Sequence, residues 1–223
     1  TTILHPLSSE DTNITVNALR ALGVVITEKP DRIIIAGCNG TFPNPENTTL
    51  DLDNSGTSLR LLTSLALLCR HPVILTGSAR MQERPIGPLV QALCGIGGSV
   101  HYLKKEGYPP VKVGGCLTGG SVTVDGTISS QFISSVLIAS PYADRDVEVL
   151  IPSPPASRSY LDITLEIIRA FGAEVTPDGY ERFFVNTQKK YSGRVYAVEG
   201  DFSSAAYFFA IAAVCGGRTR VHN

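Results

Sequence analysis

Three short polar turns each run directly into an apolar stretch of helical character: Asp53-Asn54-Ser55-Gly56-Thr57, Asp125-Gly126-Thr127-Ile128-Ser129-Ser130-Gln131 and Glu199-Gly200-Asp201-Phe202-Ser203-Ser204. Asn, Asp and Ser in such places cap the free N–H groups of the first helical turn and need no ligand for it. The same donors, with the partial positive charge of a helix start, also receive phosphate or carboxylate. Either reading serves one turn taken singly. Three together form an anion-binding surface if their helices point the same way. Gly56 permits close backbone approach to a ligand. Gln131 puts a long amide where the third turn has Ala205, so the fold does not demand it. Arg60 follows Ser55 by five residues, and Arg84 stands in SARMQERPIG before an outer helix. A cation beside a helix start is disfavoured by the dipole unless an anion, solvent or the adjacent Glu83 offsets it. The guanidinium fork suits carboxylate and phosphate alike. Arg158, in PPASRSYLD, reads as a surface charge.

These turns are positioned by a repeat. Ser55, Ser129 and Ser203 recur at steps of 74 residues, and Gly23, Gly97 and Gly172 at steps of 74 and 75. A period of this size defines the architecture before any single element does. Each unit reads helix, three strands, helix, strand. Strands are predicted near 24–27, 32–36 and 49–52, near 99–103, 111–113 and 121–125, and near 173–177, 182–186 and 194–198. The units cover about 1–71, 72–145 and 146–217, with a closing strand at 218–222, and TTIL at the start reads as an extra copy of that strand. The first helix of each unit is amphipathic; Leu161, Leu165, Ile168 and Phe171 mark one stripe, and Pro85 suits the first position of another. The second helix is apolar on nearly every side and is expected to be buried all round. The expected fold is therefore α/β, one domain over 1–223, with three buried helices sheathed by sheets and outer helices in a pseudo-threefold arrangement.

Composition limits the partners. A formal net charge of -1, with 43% hydrophobic and 17% charged residues, is ordinary for a soluble domain and gives no polyanion-binding surface. No run is long enough to span a bilayer, so neither nucleic acid nor membrane is expected as partner. The five cysteines lack any CxxC pair or nearby His, which argues for free thiols, no metal, and a reducing, cytoplasmic compartment.

Six motifs, NSGTSLR, RMQERPIG, EGYPPVKV, GTISSQF, SYLDIT and EGDFSSAAYF, resemble in order and spacing the 5-enolpyruvylshikimate-3-phosphate synthase family. The resemblance covers the whole chain. It implies the inside-out α/β barrel of enolpyruvyl transferases, built of βαβαββ units, as one of two similar domains with substrates held between them. It implies transfer of the enolpyruvyl group of phosphoenolpyruvate to the 5-hydroxyl of shikimate 3-phosphate, with release of phosphate and without metal or organic cofactor. Carried onto this chain, Ser129, Ser130, Gln131, Ser157 and Tyr160 match shikimate 3-phosphate contacts. Asn54, Gly56, Thr57, Arg84 and Gln131 match the phosphoenolpyruvate region, with Arg84 and Gln131 closest to the chemistry.

The acid–base groups of that family, a Lys, an Asp and a Glu, have no match here and belong to the complementary domain and to the segment before this stretch. The chain is thus expected to bind small anionic substrates and to be inactive alone. Asp11 matches an acidic residue near the cleft, although capping of the first helix explains it equally well. Leu61 and Ser159 replace prolines common in the family. The related transferase acting on UDP-N-acetylglucosamine carries a cysteine in the loop before its RP pair, where GSARMQERP has none. A non-catalytic repeat domain that binds phosphate ligands is the remaining alternative.

Overall fold

The short alternating strands complete one another across repeat boundaries. A computed structural model describes residues 1–221. Its strands are β1 (Thr2–Leu4), β2 (Ile26–Lys29), β3 (Arg32–Ile35), β4 (Thr49–Asp51), β5 (Val73–Thr76), β6 (Gly98–Tyr102), β7 (Val111–Gly115), β8 (Gly120–Thr123), β9 (Val147–Leu150), β10 (Glu174–Asp178), β11 (Arg182–Asn186) and β12 (Val195–Ala197). They form three four-stranded sheets in the orders β12-β1-β3-β2, β4-β5-β7-β6 and β8-β9-β11-β10. Each sheet takes three strands from one repeat and the last strand of the preceding repeat. For the first sheet the preceding repeat is the third, so β12 pairs with β1 and the ring closes.

That closure bears out one expectation and corrects another. The parallel pairs are β4 with β5, β8 with β9, and β12 with β1, the last in the register Thr2↔Val195. TTIL holds beside β12 the place that β5 holds beside β4 and β9 beside β8, so it is, as expected, an extra copy of that strand. With that edge already paired, residues 218–221 form no strand, and residue 222 lies outside the described residues.

The helices are α1 (Glu10–Ala21), α2 (Gly56–Leu65), α3 (Gly87–Gly95), α4 (Ser130–Ala139), α5 (Arg158–Ala170) and α6 (Phe202–Cys215). α1, α3 and α5 end before Gly23, Gly97 and Gly172, with φ of 89°, 101° and 91°. Glycine takes this left-handed conformation without a Cβ clash, which is why the second repeated series is glycine. α5 buries Leu161, Leu165 and Ile168, as its stripe predicts. α3 begins later than its proline suggests: Ile86 is the N-cap, Pro88 lies in the first turn, and Pro85 precedes the cap.

α2 and α4 are the buried pair. Leu59 and Leu62 of α2 and Phe132, Ile133, Val136 and Leu137 of α4 lie in one core with the inner faces of β5, β7 and β9. Between the two helices the side chains are small. Ser64 and Ser135 share a hydroxyl hydrogen bond of 2.6 Å, and Ser135 Oγ also donates to the Arg60 carbonyl at 2.5 Å. Among the described residues no buried side-chain polar atom lacks a partner. Polar groups inside the core are thus paired rather than left to pay desolvation.

α6 does not join them. Ala205 is its one buried residue, while Phe202, Tyr207 and Val214 are 79%, 75% and 85% exposed. Its apolar residues surround the helix, a pattern that specifies burial on all sides, yet nothing among the described residues supplies the cover. The central packing is therefore two helices deep, not three.

Candidate functional site

Two helix starts meet. Ser55 caps α2, accepting from the Ser58 N–H at 3.3 Å, and Ser129 caps α4, accepting from the Gln131 N–H at 3.3 Å. Gln131 Nε2 donates to Thr57 Oγ1 at 2.9 Å, which brings the first turn of α4 against the first turn of α2. The third start stays apart: Asp201, not Ser203, caps α6, accepting from the Ser203 N–H at 3.0 Å. In its place α5 is drawn in. The Ala156 N–H donates to the Gly126 carbonyl at 3.0 Å, and Ser134 and Thr164 share a hydroxyl hydrogen bond of 2.8 Å. The parallel starts leave first-turn N–H donors on one face.

Arg60 lies one turn along α2 from Thr57 and reaches across to α4. Its Nη1 donates to Gln131 Oε1 at 2.7 Å and to Ser129 Oγ at 3.3 Å, with the guanidinium 5.3 Å from the Phe132 ring centre. Burial, and then the charge of Arg84, pull its pKa below the usual arginine value. Arg84 caps a 3-10 turn at Met81–Glu83, and its side chain lies on the start of α2 rather than on that of α3. A Cβ built on Gly56 would stand 2.6 Å from Arg84 Nη1, so glycine is what leaves room for the guanidinium. Glu83 does not pair with it. Among the described residues neither Arg60 nor Arg84 has a carboxylate within salt-bridge distance, and the Arg84 guanidinium has no hydrogen-bond acceptor. Two cations sit side by side at two positive helix ends, a charge arrangement that an anion would offset.

The structure gathers Gly56, Thr57, Arg84, Ser129 and Gln131 around this point. Ser130 is buried in the first turn of α4. Ser157 caps α5 without a side-chain hydrogen bond to the backbone, leaving its hydroxyl free for another partner, and Tyr160, 60% exposed, stands in the same turn. Neither is hydrogen-bonded into the Arg60–Gln131 network. Asn54 is exposed in the turn before α2, and its side chain makes no hydrogen bond among the described residues. Asp11 is not the cap of α1; Ser9 is. The Asp11 carboxylate instead accepts from the Ser55 hydroxyl and so anchors the cap of α2. Sequence reasoning noticed Arg60 only by its distance from Ser55. The available signal was helical periodicity, since residues three apart share a face and Thr57 already belonged to the site.

Comparison with known proteins agrees in extent and kind. A family model described as EPSP synthase (3-phosphoshikimate 1-carboxyvinyltransferase) matches residues 1–223. The chain is 55% identical over 221 residues to a 3-phosphoshikimate 1-carboxyvinyltransferase of Methanoculleus marisnigri, covering 99% of this chain and 52% of that protein. It is 42% identical over 224 residues to that of Pectobacterium carotovorum, again covering 99% and 52%. The solved EPSP synthase of Acinetobacter baumannii superposes with a TM-score of 0.82 at 29% identity, over 96% of this chain and 48% of that one. The chain spans about half the length of these relatives. Three sheets closed through β12 and β1, around helices whose starts converge, form the inside-out α/β architecture that the solved relative shares. Matched along its length in both sequence and fold, the chain belongs to the EPSP synthase (3-phosphoshikimate 1-carboxyvinyltransferase) family.

Proposed function

We propose that this chain supplies one substrate-binding half of an enzyme that transfers the enolpyruvyl group of phosphoenolpyruvate to the 5-hydroxyl of shikimate 3-phosphate and releases phosphate. The observation that carries this reading is the pair Arg60 and Arg84, two guanidiniums without a carboxylate at the joined starts of α2 and α4. Both substrates are anions, and fixed cations and N–H dipoles offset their repulsion without reorganising during the reaction. Arg84, with Gly56, Thr57 and Asn54, takes the phosphoenolpyruvate side. Ser129 and Ser130, with Ser157 and Tyr160 across the α4–α5 junction, take shikimate 3-phosphate. Gln131 lies between and serves both.

The hydroxyl proton must leave and the methylene carbon must gain one, which requires acid–base groups at hydrogen-bonding distance. The complementary domain of the two-domain enzyme provides them in this reading, so the isolated chain binds shikimate 3-phosphate weakly and does not turn over. A cytoplasmic setting fits its five free thiols. An NMR titration with shikimate 3-phosphate tests the reading: amide shifts are expected at Ser129, Ser130 and Gln131. Absence of shifts at all three at millimolar ligand would overturn it. Phosphate release on mixing with a complementary-domain fragment separates the enzymatic reading from a purely ligand-binding domain.

A further inference from the structure

The hydrogen bonds around Gln131 have a direction, and Arg60 sets it. An arginine side chain has donors and no acceptor. Because Arg60 Nη1 stands 2.7 Å from the Gln131 amide, the oxygen end must face it, which turns Nε2 toward Thr57. Thr57 Oγ1 accepts from Nε2, and its own proton has no acceptor among the described residues. Ser129 behaves likewise. Its Oγ accepts from Arg60 Nη1 and from the Gln131 N–H, both at 3.3 Å, so two lone pairs are engaged and its proton is left to point outward. The side-chain bonds therefore run from Arg60 outward, to Ser129 directly and to Thr57 through the Gln131 amide, and leave hydroxyl protons at the far ends. Hydrogen bonds aligned in this way polarise one another, which strengthens the terminal donors.

We infer that Arg60 is the positioning residue of this site: it fixes the Gln131 amide and makes Thr57, Gln131 and Ser129 donors toward an anion, without itself needing to touch that anion. The inference rests on the reading of Gln131 and Ser129 as substrate-binding residues. Its position supports it: the guanidinium is half-buried and stacked on Phe132, with its hydrogen-bonding capacity directed at side chains of α4. Without Arg60 the Gln131 amide can rotate and present its oxygen to the ligand, a repulsive contact for phosphate or carboxylate.

The test uses the chain itself and two variants, Arg60→Met, which keeps bulk and loses the donors, and Arg60→Lys, which keeps charge but not the fork. The first readout needs no ligand. In the parent protein the Gln131 side-chain NH₂ resonances, assigned by their loss in Gln131→Ala, are expected at shifted, slowly exchanging positions. In Arg60→Met they are expected to collapse to the shifts of a free glutamine, with Arg60→Lys partly restoring them. Unchanged Gln131 NH₂ resonances in both variants would overturn the inference, whether or not any ligand binds.

The second readout is shikimate 3-phosphate affinity in a double-mutant cycle. Arg60→Met is expected to weaken binding about tenfold in the parent, and by less than about twofold when Gln131 is already alanine. An equal loss in both backgrounds makes Arg60 a direct contact and overturns the positioning role. If the parent chain binds no shikimate 3-phosphate, the functional reading fails, and the NMR signature still decides the role of Arg60. Thermal melts of each variant confirm that a folded protein is being compared.

Discussion

Thr57 and Gln131 are hydrogen-bonded at 2.9 Å and stand 74 residues apart, one full repeat. Each is the second residue after the serine that caps its helix, so the contact joins equivalent positions of successive units. The pseudo-threefold architecture thus brings a position against its own copy, and the two copies have diverged into a hydroxyl and an amide. The divergence gives one copy an amide that bonds Arg60 through its oxygen and Thr57 through its nitrogen at once. Ala205, at the third equivalent position, lies on α6 and takes no part.

Gly56 is the position where one methyl group should separate the two ligands. A Cβ there meets Arg84 Nη1 at 2.6 Å, and the tip of a flexible side chain yields more easily than backbone. Gly56→Ala is expected to leave the melting temperature unchanged or slightly raised, since alanine favours a helix over glycine by up to about 1 kcal/mol. Displacement of the guanidinium should weaken phosphoenolpyruvate binding by tenfold or more, at roughly 1.4 kcal/mol per decade. Shikimate 3-phosphate should lose much less. Calorimetric titration of both ligands checks this, and equal losses would place Arg84 between them rather than on one side.

The cap of α2 should matter more to stability than that of α4. Ser55 is 2% exposed, and its hydroxyl donates to the Asp11 carboxylate and accepts from the Ser58 N–H. Ser55→Ala removes a cap and leaves that carboxylate short of a donor, an expected cost of about 1–2 kcal/mol in urea unfolding. Asp11→Asn retains an acceptor for Ser55 and should cost less. A Ser55→Ala variant with an unchanged unfolding midpoint would show that the Asp11–Ser55 contact does not hold the helix start.

Much of this was legible in the sequence, for identifiable reasons. Gly23, Gly97 and Gly172 mark helix ends because only a residue without Cβ suits those angles, so chemistry and position coincide. The nine strands placed by alternation inside the units also formed, although each is only three to five residues long. The partner of β1 was hidden, because pairing with β12 is a property of ring closure and leaves no local pattern. The fate of α6 was hidden for another reason: an apolar helix announces that it needs cover but not where the cover lies. In the site, Gln131 stood out by breaking the repeat. Arg60 breaks nothing in its own helix, and its importance comes from what it reaches on α4.

Acid should loosen the junction between β9 and the strand following it in the third sheet. The Asp146 carboxylate accepts from both the N–H and the hydroxyl of buried Thr187, at 2.9 and 2.8 Å. The Thr187 N–H, then its hydroxyl, hold the carboxyl below the ordinary aspartate value of 3.8. A carboxylate with a lowered folded pKa stabilises fully above its unfolded value, and that contribution disappears as pH falls through the folded one. Asp146→Asn is expected to destabilise at pH 7 and by less at a second, acidic pH, as the parent carboxyl takes up its proton. Urea unfolding at the two pH values measures it. An equal effect at both would assign the loss to geometry rather than charge.

Anion binding should appear as stability, and it should depend on Arg84. A ligand that binds only the folded chain raises stability by RT ln(1 + [L]/Kd), about 2.7 kcal/mol at a hundredfold excess over Kd. Inorganic phosphate is therefore expected to raise the melting temperature of the parent chain in a saturable manner. Arg84→Met should abolish most of that rise. In the absence of phosphate the same variant should be at least as stable as the parent, because Arg84 makes no hydrogen bond or ion pair among the described residues and its charge opposes that of Arg60. This sign is the informative part. An arginine kept for the fold costs stability when removed; an arginine kept for an anion costs it only when the anion is present. Sodium chloride at matched ionic strength is the control for screening, which acts on exposed charges without saturating. A variant that melts lower in buffer alone, with its phosphate response intact, would assign Arg84 to structure and remove it from the site.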